Sequence, residues 1–142
     1  MDEFVVGIDG SQTSIEALRW AIEEAKLRGA TIDAVNAWNY PVVVVPGAIV
    51  PLEPTADQAI DVQVELNDAL DAVDADNAAV PINPIVAEGP AATVLRESAK
   101  DADLLVVGST GKGGLRGLLL GSVSKELLHH PPCPVVVIPH VD

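Results

Sequence analysis

A glycine-rich stretch after a short apolar segment constrains the fold of this chain more than any other feature. It runs from Gly108 to Ser124 and reads GSTGKGGLRGLLLGSVS, and the segment Asp103 to Val107 before it reads DLLVV. Glycine has no Cβ, so its backbone can approach a ligand closely and can take positive φ, which turns successive amide N–H groups toward one point. Amides aimed in this way form an anion-binding nest. The stretch therefore predicts a strand that feeds a phosphate-binding loop.

The segment after this loop supplies further hydrogen-bond donors. We predict a helix over Val123 to His130, preceded by Gly121 and Ser122. The first amides of a helix are unpaired and its N-terminus carries partial positive charge, so a phosphate is stabilised there. Lys112 and Arg116 add two cations between the glycines. A tight turn with a glycine cap would explain any single glycine, but the combination with cations and hydroxyls favours phosphate binding.

Two familiar phosphate-binding motifs do not match this loop. The P-loop requires Ser or Thr after its lysine, whereas Lys112 is followed by Gly113. The dinucleotide pattern GxGxxG also fails, because Arg116 stands where its third glycine would be, and because the loop lies late in the chain. The loop therefore predicts a different type of phosphate cradle.

Along the rest of the chain, apolar strands alternate with helical segments. This order implies right-handed crossovers and a parallel sheet covered by helices on both faces. The first helix begins at a cap, either Ser11 or Thr13, and ends at Gly29. Three further helices are predicted over residues 55–75, 90–100 and 123–130. The predicted strands are Phe4 to Ile8, Thr31 to Trp38, Val80 to Ala87 (an edge strand, because it contains Pro84), Asp103 to Val107 and Val135 to Ile138.

Two parts of the chain, the segment before the second helix and the acidic side of that helix, allow more than one interpretation. Asn39 to Pro54 contains four prolines, which predicts neither regular sheet nor helix. It could cover a pocket, contact a partner chain or pack on its own core. Acidic residues recur along one side of the second helix, and we interpret them as a solvated face rather than a metal site. They are Asp57, Asp61, Glu65, Asp68 and Asp71.

Composition excludes several classes of function. The net charge of −13 argues against a nucleic-acid or anionic-membrane partner, since both require a basic face. The single cysteine, Cys133, excludes an internal disulfide framework and is interpreted as a packing thiol. No apolar run approaches the roughly 20 residues needed to cross a bilayer. We expect a single domain over residues 1–142, located in the cytoplasm.

In an open parallel sheet, ligands bind beyond the carboxyl ends of the strands where the strand order reverses. Asp9 ends the first predicted strand and Gly108 ends the fourth. If these strands are neighbours, Asp9 and the glycine-rich loop face the same crevice. Asp9 would then either bind a divalent ion shared with the phosphates or accept a hydrogen bond from a ribose hydroxyl; its structural alternative is a cap at the following helix.

These residues resemble the universal stress protein family, in its ATP-binding branch. The likeness rests on the spacing of Gly108, Gly111 and Gly121 with Ser122, on Asp9-Gly10-Ser11, and on the closing CPVVVIP. It implies a Rossmann-like α/β fold with five parallel strands in the order 3-2-1-4-5 and helices on both faces. It also implies that the protein binds ATP with Mg²⁺ or Mn²⁺ and forms a homodimer through Val135 to Ile138.

The resemblance also assigns roles to individual positions. Asp9 would approach the nucleotide and its metal, the backbone of Ala37 would bind adenine, and the loop glycines would hold ribose and phosphates. The full set of implied binding residues is Gly7, Ile8, Asp9, Gly10, Ser11, Ala37, Gly108, Ser109, Gly111, Lys112, Gly113, Gly121, Ser122, Val123 and Ser124.

No catalytic constellation is evident in the sequence. His129 and His130 lie at a predicted helix C-terminus without an adjacent nucleophile or acid. Three functions stay open: an ATP-binding regulatory module in stress response; a slow ATPase or a protein that phosphorylates itself, for example on Ser122; and a dimeric scaffold that works without nucleotide.

Overall fold

A five-stranded parallel sheet forms the centre of the computed structural model, which describes residues 2–39, 42–51, 56–111 and 120–140. Numbered along the chain, its five strands lie in the order 3-2-1-4-5, as the resemblance implies. One row of paired residues crosses the sheet through Pro84, Ala34, Val6, Val106 and Val136. The strands are β1 (Glu3–Ile8), β2 (Thr31–Trp38), β5 (Ile82–Glu88), β6 (Leu104–Gly108) and β7 (Val135–Ile138).

Four helices cover the two faces of this sheet, which confirms the predicted fold class. They are α1 (Gln12–Arg28), α2 (Ala56–Ala72), α3 (Ala91–Ser98) and α4 (Ser122–His129). One core contains Phe4 and Val6 together with apolar residues of α1 and α2. The other contains Val5 with residues of α3 and α4, because alternate side chains of a strand point to opposite faces. None of the helices in the described ranges is long and apolar enough to cross a membrane.

The start of α1 resolves the choice between two possible caps. Ser11 is the N-cap, and its side chain accepts a hydrogen bond from the Ser14 amide at 3.2 Å. Thr13 lies inside the helix and is buried, so the alternative Thr13 cap is wrong. At the other end, Gly29 adopts the left-handed conformation with φ 67°, which confirms the predicted stop.

The segment between β2 and α2 differs from the prediction. Instead of irregular backbone, it contains an antiparallel hairpin of β3 (Val42–Val45) and β4 (Ala48–Pro51). Pro46 and Gly47 form its turn, and Gly47 has φ 86°, as position i+2 of a type II turn requires. Of the two described prolines of this segment, Pro46 lies in the turn and Pro51 at the end of β4. Pro41 and Pro54 lie outside the described residues.

Helix α2 packs as predicted except at one acidic position. Val62, Leu66 and Ala69 are buried against the sheet. Asp61, Asp68 and Asp71 are exposed, whereas Glu65 is half-buried and accepts a hydrogen bond from Asn36 Nδ2 at 3.4 Å. The expectation of a fully solvated acidic face is therefore wrong for Glu65, which faces β2. The side chain of Asp57 lies outside the described set.

The cysteine lies before β7 and is half-buried. Burial raises the pKa of the Cys133 thiol, and the Asp103 carboxylate adds to this shift. The thiol therefore stays protonated at neutral pH, as expected for a packing residue.

Several carboxylates lie close together where the parallel strands begin, at the opposite end of the strands from the glycine-rich loop. A side-chain hydrogen bond with Asp33 and repulsion from Asp33 and Asp103 raise the pKa of Glu3. A raised carboxyl pKa favours folding at low pH, and this contribution is lost as the pH rises through the folded-state value. We therefore expect Glu3→Gln to raise the melting temperature slightly at pH 7 and in low salt.

The difference between Glu3→Gln and the unmodified chain should disappear below about pH 4, where Glu3 is protonated in both folded and unfolded states. It should also shrink in high salt. Glu88→Gln, which removes the same charge at the opposite end of the sheet, is the matched control. Equal thermal shifts for the two variants at every pH would contradict the assignment to local repulsion.

Candidate functional site

A cavity of about 400 Å³ opens at the carboxyl ends of β1 and β6. These strands are neighbours, and their connections lead in opposite directions, to β2 and to β7. The cavity thus lies at the point where the strand order reverses, as predicted. The predicted residues that line it are Gly7, Ile8, Asp9, Ser11, Ala37, Gly108, Gly111, Gly121, Ser122, Val123 and Ser124.

Apolar side chains form one part of the cavity wall. Val35 and Ala37 come from β2, Val107 from β6, and Ala91 and Leu95 from α3. This part of the cavity can bury a flat apolar group. Sequence reasoning found only Ala37 among these residues.

Asp9 lies directly after β1 and is fixed by the start of α1. Its Oδ1 accepts hydrogen bonds from the backbone N–H of Ser11, at 2.9 Å, and from the Ser11 hydroxyl. Its Oδ2 lies so close to Gly111 that a Cβ there would be 2.5 Å away. The carboxylate therefore holds the N-cap residue Ser11 on one side and faces the glycine-rich loop on the other.

The described glycines of the loop serve close approach rather than an unusual backbone conformation. Gly108, Gly111 and Gly121 do not have positive φ. The expectation that positive φ turns the amides of the loop glycines toward one point is therefore wrong for these three. A Cβ on Gly108 would lie 2.6 Å from Thr13 Cγ2, and one on Gly121 would lie 3.3 Å from the Cα of Thr110. These glycines let the loop pack against α1 and against itself.

Gly10 and Ser109 do not line the cavity, although both were predicted as binding residues. Gly10 has φ 84°, and a Cβ there would lie 2.7 Å from Glu65 Oε2, so its position serves the turn after β1. Ser109 is buried, and its amide donates to Ile138 O at 2.7 Å while its hydroxyl accepts from the His140 amide at 3.1 Å. Its side chain therefore contacts the segment after β7.

The N-terminus of α4 faces the cavity. Gly121 is the N-cap, and the first backbone hydrogen bond runs from Lys125 N to Gly121 O at 3.0 Å. The amides of Ser122, Val123 and Ser124 precede this bond and are the orphan donors of a helix start. Ser122 is thus the first helical residue, so α4 begins one residue earlier than predicted.

The two serines of this segment differ. Ser122 is exposed, and its side chain is accessible from the cavity. Ser124 is buried, and its hydroxyl donates to Ser109 O at 2.9 Å and to Gly121 O at 3.0 Å. The Ser124 hydroxyl therefore stabilises the loop in this structure.

Six lining residues were missed by the sequence analysis: Ser14, Val35, Ala91, Leu95, Val107 and Thr110. Ser14 carried a usable signal, because its position three residues after the N-cap places its hydroxyl next to the cap backbone. The Ser14 hydroxyl oxygen lies 3.4 Å from the backbone nitrogen of Asp9. Lys112 and Gly113, which complete the predicted set, lie outside the described residues, as does Arg116.

The side chains around Asp9 determine whether a divalent metal could bind there. Among the described residues, no group of three or more His, Cys, Asp or Glu side chains could hold a metal ion. One carboxylate beside a phosphate-sized space fits Mg²⁺, which is typically bound by one or two carboxylates together with substrate phosphates. The residues present therefore fit a nucleotide-bound metal rather than a metal site built by the protein alone.

Comparison with known proteins gives a consistent result. The chain is 41% identical over 135 residues to universal stress protein Rv2005c of Mycobacterium tuberculosis, and this match covers 94% of the chain and 44% of that protein. The chain spans about half the length of the curated relatives it matches.

Two solved structures share the fold. One is a universal stress protein in complex with cAMP, with 28% identity, a TM-score of 0.70, and coverage of 97% of this chain and 96% of that one. The other is the universal stress protein of Archaeoglobus fulgidus in complex with dAMP, with 22% identity, a TM-score of 0.72, and coverage of 97% and 98%. The family model described as "Universal stress protein family" matches residues 1–139. The chain therefore belongs to the universal stress protein family.

Proposed function

We propose that this chain binds ATP, together with Mg²⁺ or Mn²⁺, in the cavity at the carboxyl ends of β1 and β6. We also propose that it acts as a nucleotide-dependent regulatory module in stress response. The observation that carries this proposal is the division of the cavity into two unlike parts. Apolar side chains including Val35 and Leu95 suit a purine ring, while the orphan amides of α4 suit phosphates. The cAMP complex of a relative that is 28% identical supports an adenine nucleotide as the ligand.

The two parts of the cavity set the orientation of the nucleotide. Adenine lies against Val35, Leu95 and Val107, near the backbone of Ala37, and the phosphates extend toward Gly121 and Ser122. Mg²⁺ would be held by Asp9 and the phosphates, and it would neutralise the repulsion between them. We place the protein in the cytoplasm, where ATP is available, and treat residues 1–142 as one domain.

Calorimetric titration of nucleotide-stripped protein with ATP and Mg²⁺ tests this proposal. We expect saturable binding with one site per chain, and weaker binding when Mg²⁺ is omitted. The absence of binding would favour the nucleotide-independent scaffold. Release of ADP on prolonged incubation would favour the slow ATPase or autophosphorylating enzyme; intact ATP would favour the regulatory module.

Ser122→Asp probes the phosphate end alone. Ser122 is exposed at the start of α4, where an acidic side chain favours the helix, so the fold should be retained. The added carboxylate should repel the phosphates and weaken ATP binding about tenfold, or about 1.4 kcal/mol. Adenosine, which lacks phosphates, should bind unchanged.

The matched control for this charge is Gln63→Glu, on the exposed side of α2. It adds the same charge away from the cavity and should leave both affinities unchanged. An equal loss for ATP and adenosine in Ser122→Asp would contradict the proposed orientation.

We further propose a homodimer in which β7 pairs with its copy. β7 lies at one edge of the sheet, and its four residues, Val135 to Ile138, all have backbone donors. The opposite edge strand, β5, contains Pro84 and cannot offer a continuous row of donors. Sedimentation at micromolar concentration should give a dimer, and a sole species of 14.7 kDa would exclude it.

A further inference from the structure

The lysines and arginines of the described residues fall into two groups. Four of them form ion pairs of 3.0–3.7 Å with a glutamate three or four residues earlier in the chain: Arg19, Lys26, Arg28 and Lys100. The other two, Arg96 and Lys125, form no ion pair with a carboxylate within the described part of the chain. Both line a second cavity of about 360 Å³ between α3 and α4. In a chain with a net charge of −13, two cations without an ion pair thus lie at one cavity.

The Arg96 guanidinium is held in place by the end of α4. Its Nε donates to His130 O at 3.0 Å, and its Nη2 donates to Glu126 O at 3.1 Å. Arginine has five N–H donors in a planar fork, and these two bonds leave the Nη1 group available. An arginine fixed in this way presents donors to an anion without first losing side-chain freedom.

Two histidines complete the wall of this cavity. The rings of His129 and His130 contact each other edge to face, with their centroids 5.8 Å apart. Both residues are exposed, and each ring carries an N–H group that can donate a hydrogen bond. Glu126 also lines the cavity and offsets one of the positive charges. The attraction for an anion therefore comes from Arg96 and Lys125, with the histidine rings as further donors.

We propose that this second cavity, the α3–α4 pocket, binds a small anion that carries phosphate groups. Arg96 contributes planar donors, Lys125 a point charge, and the histidine rings further N–H donors, which is a donor set that phosphate oxygens accept. The pocket is open to solvent, so a polyatomic anion can reach both cations. The pocket is formed by the later residues of α4 and is separate from the cavity at its N-terminus.

The experiment is a two-dimensional NMR titration of the ¹⁵N-labelled chain with inorganic pyrophosphate, without Mg²⁺, at neutral pH. The Ser122→Asp chain is used, because its added charge disfavours phosphate in the first cavity. We expect saturable shifts of the amides of residues 125–130 and of Arg96.

One variant and its matched control assign the binding to the pocket. Lys125→Gln removes a charge from the pocket and should weaken pyrophosphate binding about fivefold or more. Lys100→Gln removes the same charge just after α3, outside the pocket, and should leave the binding unchanged. Both changes affect exposed side chains, so unfolding does not confuse the result.

Malonate, a dicarboxylate, separates phosphate recognition from general attraction of anions. Weaker binding of malonate supports the proposed ligand class, and equal binding would overturn it. The absence of saturable shifts, or equal losses in Lys125→Gln and Lys100→Gln, would overturn the pocket itself. None of these outcomes depends on whether ATP binds in the first cavity.

Discussion

Gly111→Val should reduce the affinity for ATP and Mg²⁺ by about 100-fold or more, which corresponds to about 2.7 kcal/mol. A Cβ at position 111 would lie 2.5 Å from Asp9 Oδ2, so the valine must displace the carboxylate that we assign to the metal. It would also occupy space at the phosphate end of the cavity. Calorimetric titration measures this loss directly.

The fold should survive this substitution. The colliding atom is the far end of a side chain and not backbone, and Gly111 does not have positive φ. The melting temperature of Gly111→Val should therefore stay close to that of the unmodified chain. A large thermal shift would show that the loop is chiefly a packing element.

A double-mutant cycle identifies the cause of the lost binding. Asp9→Ala alone should weaken binding that depends on Mg²⁺, and Gly111→Val should cost less in the Asp9→Ala background than in the unmodified chain. Additive effects would mean that the valine acts without Asp9. Unchanged ATP binding by Gly111→Val would refute the assignment of the nucleotide to this cavity.

Leu66→Ala should lower the free energy of unfolding by about 3 kcal/mol. Leu66 is fully buried between α2 and the sheet, and removal of three buried carbons leaves a cavity as well as lost apolar contact. The residue belongs to the same core as Phe4, Leu18 and Ile32. Urea unfolding measures the change, and the slope of free energy against urea should stay constant if only the native packing is affected.

Val64→Ala is the matched control for this helix. Val64 lies two residues earlier and is 48% exposed, so its truncation should change stability by less than about 0.5 kcal/mol. Similar losses for the two variants would mean that α2 does not pack on the sheet through Leu66.

The sheet could be predicted from sequence because its signal is local. Three of the five strands, β1, β6 and β7, are short runs rich in Val, Ile or Leu, and such runs are typical of strands in a parallel sheet. The hairpin could not be predicted in this way, because proline lacks a backbone N–H and generally interrupts regular secondary structure. Pro46 with Gly47 is nevertheless a turn signal, and Val44 and Ile49 on either side are exposed, at 76% and 69%, so no core pattern revealed the strands.

The phosphate end of the candidate site could be predicted, but its apolar end could not. Glycines and hydroxyls in a loop differ visibly from their surroundings, whereas Val35, Leu95 and Val107 look like ordinary core residues in sequence. They line a cavity only because α3 and the strands leave a space between them. Ser109 illustrates the opposite error, because it looks like a loop ligand and is instead buried.

Ser109 also joins regions that are far apart in sequence. Its carbonyl accepts from Gly121 N and Ser124 Oγ, while its amide and hydroxyl bond to Ile138 O and His140 N. One residue thus bridges the start of α4 and the outer edge of the sheet. The loop beside the proposed nucleotide cavity and the end of the strand proposed for dimerisation are therefore held by the same residue, and a movement of either would reach the other through it.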